Sequence, residues 1–219
     1  MGGHKVLMFG SNAYTGLVGD QRICDAAKQA IDQYGTGCAG SRFLNGTLDI
    51  HVKLEKDLAE FVHKDEALCF STGFSVNAGV IAAVGGREDY IICDDRDHAS
   101  IVDGRRLSFA KQLKYKHNDM EDLENLLKKL PYEAVKLIVV DGVFSMEGDL
   151  AKLPEIVELK KKYNCSIMVT RHILLVSLVI TEEVFVTISD LLTRLTLSWA
   201  PSLSHLLLLV DSSLETRIL

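Results

Sequence analysis

Three segments of the sequence place polar side chains directly after apolar runs. "FSTGFSVNAG" puts Thr72 and Gly73 between an apolar run and a helical pattern. Such a turn offers free backbone N–H groups at the positive end of a helix, which predicts an anion or phosphate site. "CDDRDHASIVDG" places His98, and "VVDGVFSMEGD" places Ser145, shortly after two further apolar runs. On the residues alone, an ordinary capped turn and a structural histidine stay open as alternatives.

The elements around these segments alternate between helical and extended patterns. Helices are predicted at 21–34, 48–64, 74–84, 99–110, 120–130 and 153–163, and buried strands at 67–71, 89–95, 135–142 and 166–169. Strands that alternate with helices form mostly parallel sheets with helices on both faces, so the predicted fold class is α/β. Because ligands collect at the carboxyl ends of parallel strands, the three segments are expected to share one rim.

The first predicted helix is followed by a glycine-rich loop. Its apolar face includes Ile23, Ala27 and Ile31, and Gly35 follows as a natural C-cap. "GTGCAG", from Gly35 to Gly40, matches the G-x-G-x-x-G dinucleotide fingerprint letter for letter. That fingerprint requires a strand before it, whereas here a helix precedes it. The glycines are therefore predicted to allow positive φ angles and close backbone approach, not to bind a nicotinamide cofactor.

Composition restricts the classes of partner. The formal net charge of −6 argues against nucleic acid, which requires a basic surface. Five cysteines without C-x-x-C spacing predict reduced thiols in the cytoplasm and no metal site. The sequence has no secretory signal pattern. Its longest uncharged stretch after residue 169, "LTLSWAPSLSHLLLLV", is shorter than the roughly 20 residues of a spanning helix, so no transmembrane segment is expected.

Taken together, several segments resemble the α-oxoamine synthases. The resemblance runs from about Phe9 to Val169 and is closest to the bacterial serine palmitoyltransferases within that family. It rests on "GSNAYTGL", "YGTGCAGSRFLNGT", "FSTGFSVNAG", "DHASIVDG", "HNDMEDLENLL" and "DGVFSMEGDLAKLPEIVEL". It implies a partial large domain of the fold-type I transferases, which depend on pyridoxal 5'-phosphate (PLP).

The resemblance also implies a reaction. Members of the family condense an amino acid with an acyl-CoA and release carbon dioxide, which gives a 3-oxo-amine. For this chain the expected substrates are L-serine and palmitoyl-CoA, as in sphingolipid biosynthesis. Two alternatives stay open: a synthase that uses glycine or alanine, and a non-catalytic partner subunit of such a synthase.

Site residues follow from the resemblance position by position. Gly73 and Phe74 lie in the turn that holds the cofactor phosphate. His98 matches the histidine that stacks on the pyridine ring and helps to orient the substrate carboxylate. Ser145 matches the serine that hydrogen-bonds the phenolic oxygen, and Asn12 matches a position near the amino-acid substrate. The "GTGCAGSR" loop resembles the segment that reaches across a homodimer.

The resemblance divides the chain into three parts. Residues 1–20 lead into the large domain, residues 21–169 form an incomplete PLP-binding large domain, and residues 170–219 form an aberrant tail. Relatives are expected to continue beyond both ends, with a small domain after the large one.

The tail lacks two groups that the family needs. Residues 170–219 contain no glycine and no lysine. The family's pyridine-pairing aspartate belongs to a VDEAH-like motif, and its position here is Thr170 within "VTRHI". The Schiff-base lysine belongs to a TFSKS-like motif, and its position here is Ser204 within "PSLSH". This chain is therefore predicted to be inactive.

One lost base after the codon of Val169 accounts for both differences. GAC-GAG-GCA-CAT, which encodes Asp-Glu-Ala-His, would then be read as ACG-AGG-CAC-AT and give Thr-Arg-His-Ile, as found after Val169. Codon choices for "TLSWAPSLSH" exist that restore the lysine motif by the same shift. Residues 170–219 are therefore predicted to be translated out of frame. A divergent leucine-rich extension is the alternative.

Overall fold

The computed structural model describes residues 7, 16–61, 66–170 and 207–211. The helices are α1 Gln21–Tyr34, α2 Asp49–Phe61, α3 Gly73–Val84, α4 Ala99–Leu107, α5 Met120–Leu127 and α6 Leu153–Tyr163. The strands are β1 Glu66–Phe70, β2 Tyr90–Asp94, β3 Lys111–Tyr115, β4 Lys136–Asp141, β5 Ser166–Thr170 and β6 Leu207–Asp211.

Four strands form the main sheet, in the order β3-β2-β4-β5, and every neighbouring pair is parallel. A second sheet consists of β1 and β6, which are also parallel. Within each sheet all strands run parallel, and the predicted α/β fold with parallel strands is confirmed.

Helices cover both faces of the main sheet because β4 alternates its side chains between them. Ile138 and Val140 pack in one cluster with residues of α5 and α6, such as Leu123 and Ile156. On the opposite face, Val139 belongs to a cluster with residues of α3 and α4. All six residues of β4 are buried, as expected for a central parallel strand.

Local signals set the helix ends. Asp20 caps α1 by accepting a hydrogen bond from the N–H of Arg22, and Asp119 caps α5 by accepting from Asp122. Gly35 closes α1 with a φ of 80°, so the predicted C-cap is confirmed. Asn164 ends α6 in the left-handed conformation.

The glycine-rich loop lies where the sequence analysis placed it. It follows α1, and no strand precedes it within residues 16–61, so the nucleotide fingerprint is excluded on context. A Cβ at Gly40 would overlap the side chain of Asn45, and one at Gly46 would overlap the carbonyl of Gly40. Of the motif's glycines, Gly40 thus confirms the predicted close approach and Gly35 the predicted positive φ, whereas Gly37 shows neither.

Several predicted bounds were wrong. α4 ends at Leu107, not at 110, because the Ser108 hydroxyl donates to the carbonyl of Gly85 and accepts from the N–H of Ala110, which starts the turn into β3. The strand β3, "KQLKY", was missed, since its polar residues suit an edge strand with one partner. β1 was predicted to be buried, but Glu66 and Leu68 are exposed because β1 lies outside the main sheet.

Part of the tail is described. β6 pairs with β1 in register from Glu66 opposite Leu207 to Phe70 opposite Asp211. A leucine-rich run readily forms this contact, because an unpaired strand edge accepts any extended segment through backbone hydrogen bonds. Ser204 and Arg171 lie outside the described residues, as do most of the positions on which the predicted tail rests.

The buried cation of Lys136 gives a stability prediction. Its side chain is 2% exposed, and its Nζ donates to the carbonyls of Pro131, Tyr132 and Ala134 at 2.9, 2.8 and 2.7 Å. Lys136→Met would leave three carbonyls without their donor. We expect a loss of about 3 kcal/mol in the free energy of unfolding, measured by urea denaturation.

Lys161→Met is the matched control, since Lys161 is exposed and, among the residues that the structure describes, forms an ion pair only with Glu158, at 2.9 Å. The control should change the unfolding free energy by about 0.5 kcal/mol or less. Equal effects of the two substitutions would contradict a structural role for the buried ammonium group.

Candidate active site

The predicted site residues that the structure describes all follow the carboxyl ends of strands. Gly73 and Phe74 begin α3 after β1, His98 caps α4 after β2, and Ser145 lies in a turn after β4. We call these strand ends together the strand rim. The single shared sheet edge that the sequence predicted is found for His98 and Ser145, which follow the neighbouring strands β2 and β4, whereas β1 belongs to the second sheet. Asn12 lies outside the described residues, so its predicted contact with substrate stays a prediction.

The turn before α3 has the features of an anion site. Thr72 is the N-cap, and its hydroxyl oxygen accepts a hydrogen bond from the N–H of Ser75 at 3.0 Å. Within the described residues, the N–H groups of Gly73 and Phe74 have no acceptor. They lie at the positive end of the helix dipole, and Phe74 is exposed. The turn can therefore receive a phosphate.

His98 uses its imidazole ring as a helix cap. The Nδ1 atom accepts a hydrogen bond from the N–H of Ser100 at 3.2 Å and lies 2.8 Å from the Ser100 hydroxyl oxygen. The same hydroxyl oxygen accepts from the amide Nδ2 of Asn77, a buried residue of α3, at 2.9 Å. The ring is otherwise exposed, so one face can meet a planar ligand.

Two buried aspartates fix the backbone beneath His98. The N–H of His98 donates to Oδ2 of Asp141 at 2.7 Å, and the N–H of Asp141 donates to Oδ1 of Asp97 at 3.0 Å. We call the pair Asp97 and Asp141 the aspartate clasp. It joins the loop before α4 to the last residue of β4, so the positions of the two neighbouring strand ends are coupled.

The clasp extends to β5 through Thr170. The hydroxyl of Thr170 donates to Oδ1 of Asp141, and its carbonyl accepts from the N–H of Gly142 at 2.9 Å. Thr170 is the position at which the resemblance expects the pyridine-pairing aspartate. A neutral hydroxyl therefore stands at this end of β5, with a buried carboxylate already bound to it.

The Ser145 turn is attached to the rest of the rim by His117. Its Nδ1 and Nε2 atoms lie 2.9 Å from Asp94 and 3.0 Å from Asp149, and its ring meets Phe144 edge to face at 4.5 Å. Burial lowers the pKa of His117, but its hydrogen bonds to the two carboxylates outweigh this and raise the pKa above the usual range. These contacts of the His117 ring tie the turn that presents Ser145 to the end of β2.

Asp94 and His117 also belong, with Asp95, to a group whose potential metal-binding atoms lie within 4.8 Å of one another. The oxygens of Asp94 already accept from His117 and from the backbone N–H groups of Arg96 and Asn118. The arrangement is accounted for as a hydrogen-bonded corner between β2 and β3.

Burial dominates the electrostatics of the clasp. It raises the pKa of Asp97 to about 9, and the charges of Asp141 and Asp94 act in the same direction. The Oδ2 atom of Asp97 is buried without a hydrogen-bond partner in the described part of the chain, as suits a neutral carboxyl group. Burial likewise raises the pKa of the Cys93 thiol, so this thiol is not a nucleophile.

Four residues that shape the site were missed from the sequence: Asn77, Asp97, Ser100 and Asp141. The three polar segments contain them, but nothing in their spacing shows which ones meet. Asp97 and Asp141 are 44 residues apart, and Asn77 and Ser100 are 23 apart. An aspartate as the last residue of an otherwise apolar strand was the one available signal.

The fold and rim define an α/β protein with a phosphate-type turn beside an exposed histidine. The chain belongs to the aminotransferase class I and II family, whose model matches residues 4–170. It is 75% identical over 169 residues to a serine palmitoyltransferase of Bacteroides ovatus, which covers 77% of this chain and 43% of the relative. It is 48% identical, with the same coverage, to an 8-amino-7-oxononanoate synthase of Lysinibacillus sphaericus.

Comparison with solved structures identifies similar proteins of the same kind. A serine palmitoyltransferase of Sphingomonas wittichii matches with a TM-score of 0.74 and 44% identity, over 77% of this chain and 42% of that one. A serine palmitoyltransferase variant from S. paucimobilis, with bound PLP–myriocin aldimine, matches with a TM-score of 0.71 and 40% identity, over 73% and 40%. The chain thus spans less than half the length of these relatives. None of the described helices is long and apolar enough to cross a membrane.

The pKa of Asp97 gives a pH prediction. The folded-state pKa of about 9 lies above that of the unfolded carboxyl group, so this group's contribution to stability is complete at acidic pH and falls as pH rises toward 9. Asp97→Asn stays neutral and escapes this loss. The unfolding free energy of the variant minus that of the wild type should therefore increase by on the order of 1 kcal/mol per pH unit between about pH 5 and 8.

The measurement is urea denaturation at several pH values, with Asp95→Asn as the control because Asp95 is exposed. The control should run parallel to the wild type. A parallel curve for Asp97→Asn as well would show that Asp97 is ionised in the folded protein.

Proposed function

We propose that residues 16–170 are the cofactor-binding part of a PLP-dependent acyltransferase that condenses L-serine with palmitoyl-CoA and releases carbon dioxide. The observation that carries this proposal is the 75% identity, over 169 residues, to the serine palmitoyltransferase of Bacteroides ovatus. That name supports serine and a palmitoyl group, and the acyl-CoA follows from the resemblance to the α-oxoamine synthases.

The rim residues fit the proposed cofactor. The N–H groups of Gly73 and Phe74, with the helix dipole behind them, would hold the phosphate. The exposed ring of His98 would stack on the pyridine ring, and the hydroxyl of Ser145 would donate to the phenolic oxygen. When bound, PLP supplies an electron sink for bonds at the amino acid's α-carbon. Gly73, Phe74, His98 and Ser145 would hold and orient this group.

Two groups that such a reaction requires are not offered at the expected positions. A carboxylate must keep the pyridine nitrogen protonated, and a lysine must hold the cofactor and move protons. Thr170 takes the place of the first, and the resemblance assigns the second to Ser204. We therefore propose that this chain binds PLP without a covalent bond and does not catalyse the condensation.

Out-of-frame translation of residues 170–219 explains this pair of differences together. The family match ends at residue 170, and no glycine or lysine occurs beyond it. We propose one lost base after the codon of Val169. The intact reading frame would restore the aspartate and the lysine at their expected positions.

Two other functions have specific support. The 48% identity to an 8-amino-7-oxononanoate synthase favours, as an alternative, a synthase that takes another small amino acid. The absent lysine favours a non-catalytic partner subunit. The residues of the strand rim do not distinguish these two functions from the proposed one, since all three would use the same cofactor turn and the same histidine.

A second copy of the chain is the partner we propose. α1 has no buried residue, although Ile31 lies on its apolar face. In the loop that follows, Phe43 is 94% exposed and Leu44 is 79% exposed. Apolar side chains concentrated on one segment mark an interface. The same loop resembles the family's dimer-crossing segment.

We also propose a cytoplasmic location. It is supported by the five cysteines, all of which are described and none of which forms a disulfide.

Trapping the cofactor tests the proposed inactivity. We expect borohydride to add no mass to the full chain incubated with PLP, because Ser204, at the lysine position, has no amine. The measurement is intact-mass spectrometry after reduction and removal of free cofactor. A stoichiometric adduct that maps to one lysine would overturn the proposal.

Restoring the frame tests the proposed activity. The nucleotide sequence around codon 170 should show the lost base, and the full-length protein from the restored frame should release CoA from palmitoyl-CoA with L-serine. The control is the same protein with the restored lysine changed to alanine. Activity with alanine or glycine but not with serine would favour the alternative synthase.

A further inference from the structure

We infer that Asn77 and Ser100 are positioning residues that keep Nδ1 of His98 as a hydrogen-bond acceptor, so that the proton of the imidazole ring lies on Nε2. The inference rests on the proposed function in assigning His98 to the cofactor ring. It concerns the state of the imidazole before any ligand binds, and it comes from three hydrogen bonds. No sequence pattern suggested it.

The backbone N–H of Ser100 determines which ring nitrogen of His98 is unprotonated. A backbone N–H can only donate, and it points at Nδ1 of His98 at 3.2 Å. The Nδ1 atom must therefore keep its lone pair, because a protonated Nδ1 would place two hydrogens against each other. A helix cap made from a histidine thus selects one tautomer, which the usual serine or aspartate cap does not need to do.

The Ser100 hydroxyl also favours an unprotonated Nδ1 at His98. Its oxygen accepts from Nδ2 of Asn77 at 2.9 Å, which leaves its own proton free to donate to Nδ1 of His98 at 2.8 Å. Asn77 is buried and Ser100 is fully enclosed, so bulk water does not replace these bonds. The direction of donation runs from Asn77 through Ser100 to His98.

The consequence lies at the exposed side of the ring. With Nδ1 occupied as an acceptor, Nε2 carries the proton, and it has no partner within the described residues. The ring therefore presents a donor, not a lone pair, to whatever binds at the rim. Asn77 belongs to the first turns of α3, so the same relay connects this donor with the phosphate-type turn at Gly73.

The test reads the tautomer directly in the full chain without cofactor. Long-range proton–nitrogen NMR spectra of protein labelled with nitrogen-15 at histidine, recorded at about pH 9 where free imidazole is neutral, distinguish the two ring nitrogens. His98→Gln assigns the signal among the seven histidines. We expect a bare Nδ1 and a protonated Nε2 at His98.

Two variants test the relay. Ser100→Ala removes the hydroxyl, and the ratio of the Nδ1–H to the Nε2–H form should rise about fivefold, the change that one lost hydrogen bond produces. Ser100→Thr keeps the hydroxyl and should restore the wild-type ratio. Asn77→Asp offers only acceptors when ionised, so it should take the Ser100 proton and raise the Nδ1–H form as well.

His117 is the internal reference, since both of its nitrogens are bound to carboxylates elsewhere and should not respond. A protonated Nδ1 at His98 in the wild type would overturn the inference, whether or not any variant folds. So would an unchanged ratio in a folded Ser100→Ala. Because the spectra contain no PLP, failure of the proposed cofactor binding leaves this result intact, and the reverse also holds.

Discussion

The geometry of the rim depends on the aspartate clasp. Parallel strands end side by side, and the N–H groups of the residues that follow them need acceptors once they are buried. The carboxyl group of Asp141 accepts a hydrogen bond from the N–H of His98, and that of Asp97 accepts one from the N–H of Asp141. Each carboxyl group thus satisfies a donor on the neighbouring segment. Without this exchange, the loop that carries His98 would have no fixed relation to the end of β4.

The clasp brings two acidic groups together in a buried place, and protonation of Asp97 limits the cost. Two charged carboxylates so close in a buried place repel each other, and the raised pKa of Asp97 leaves one of them neutral. Asp141 in turn accepts a hydrogen bond from the hydroxyl of Thr170. In the proposed intact protein an aspartate would stand at this position, so the clasp would then lie beneath the carboxylate that pairs with the cofactor.

The sequence was sufficient where local signals determine the structure. The bounds of α1 and α6 were predicted to the residue, because a cap or a proline marks each start and a left-handed residue each end. The alternating pattern also predicted that His98 and Ser145 follow the carboxyl ends of strands of one sheet, here β2 and β4. β3 was missed because an edge strand needs no apolar alternation. β1 was predicted to be buried, but it lies outside the main sheet and is partly exposed. Asn77 and Ser100 were also missed, since their contact depends on how α3 packs on α4.

Equilibrium dialysis of the full chain against PLP and against pyridoxal tests the central claim most directly, namely that the α3 turn and His98 form a cofactor site. The two ligands share the ring and differ in the phosphate. The account predicts saturable binding of PLP, at least about tenfold tighter than that of pyridoxal, since a helix N-terminus with free N–H groups favours the charged group. Equal affinity for the two ligands, or PLP binding that His98→Ala leaves unchanged, would contradict it.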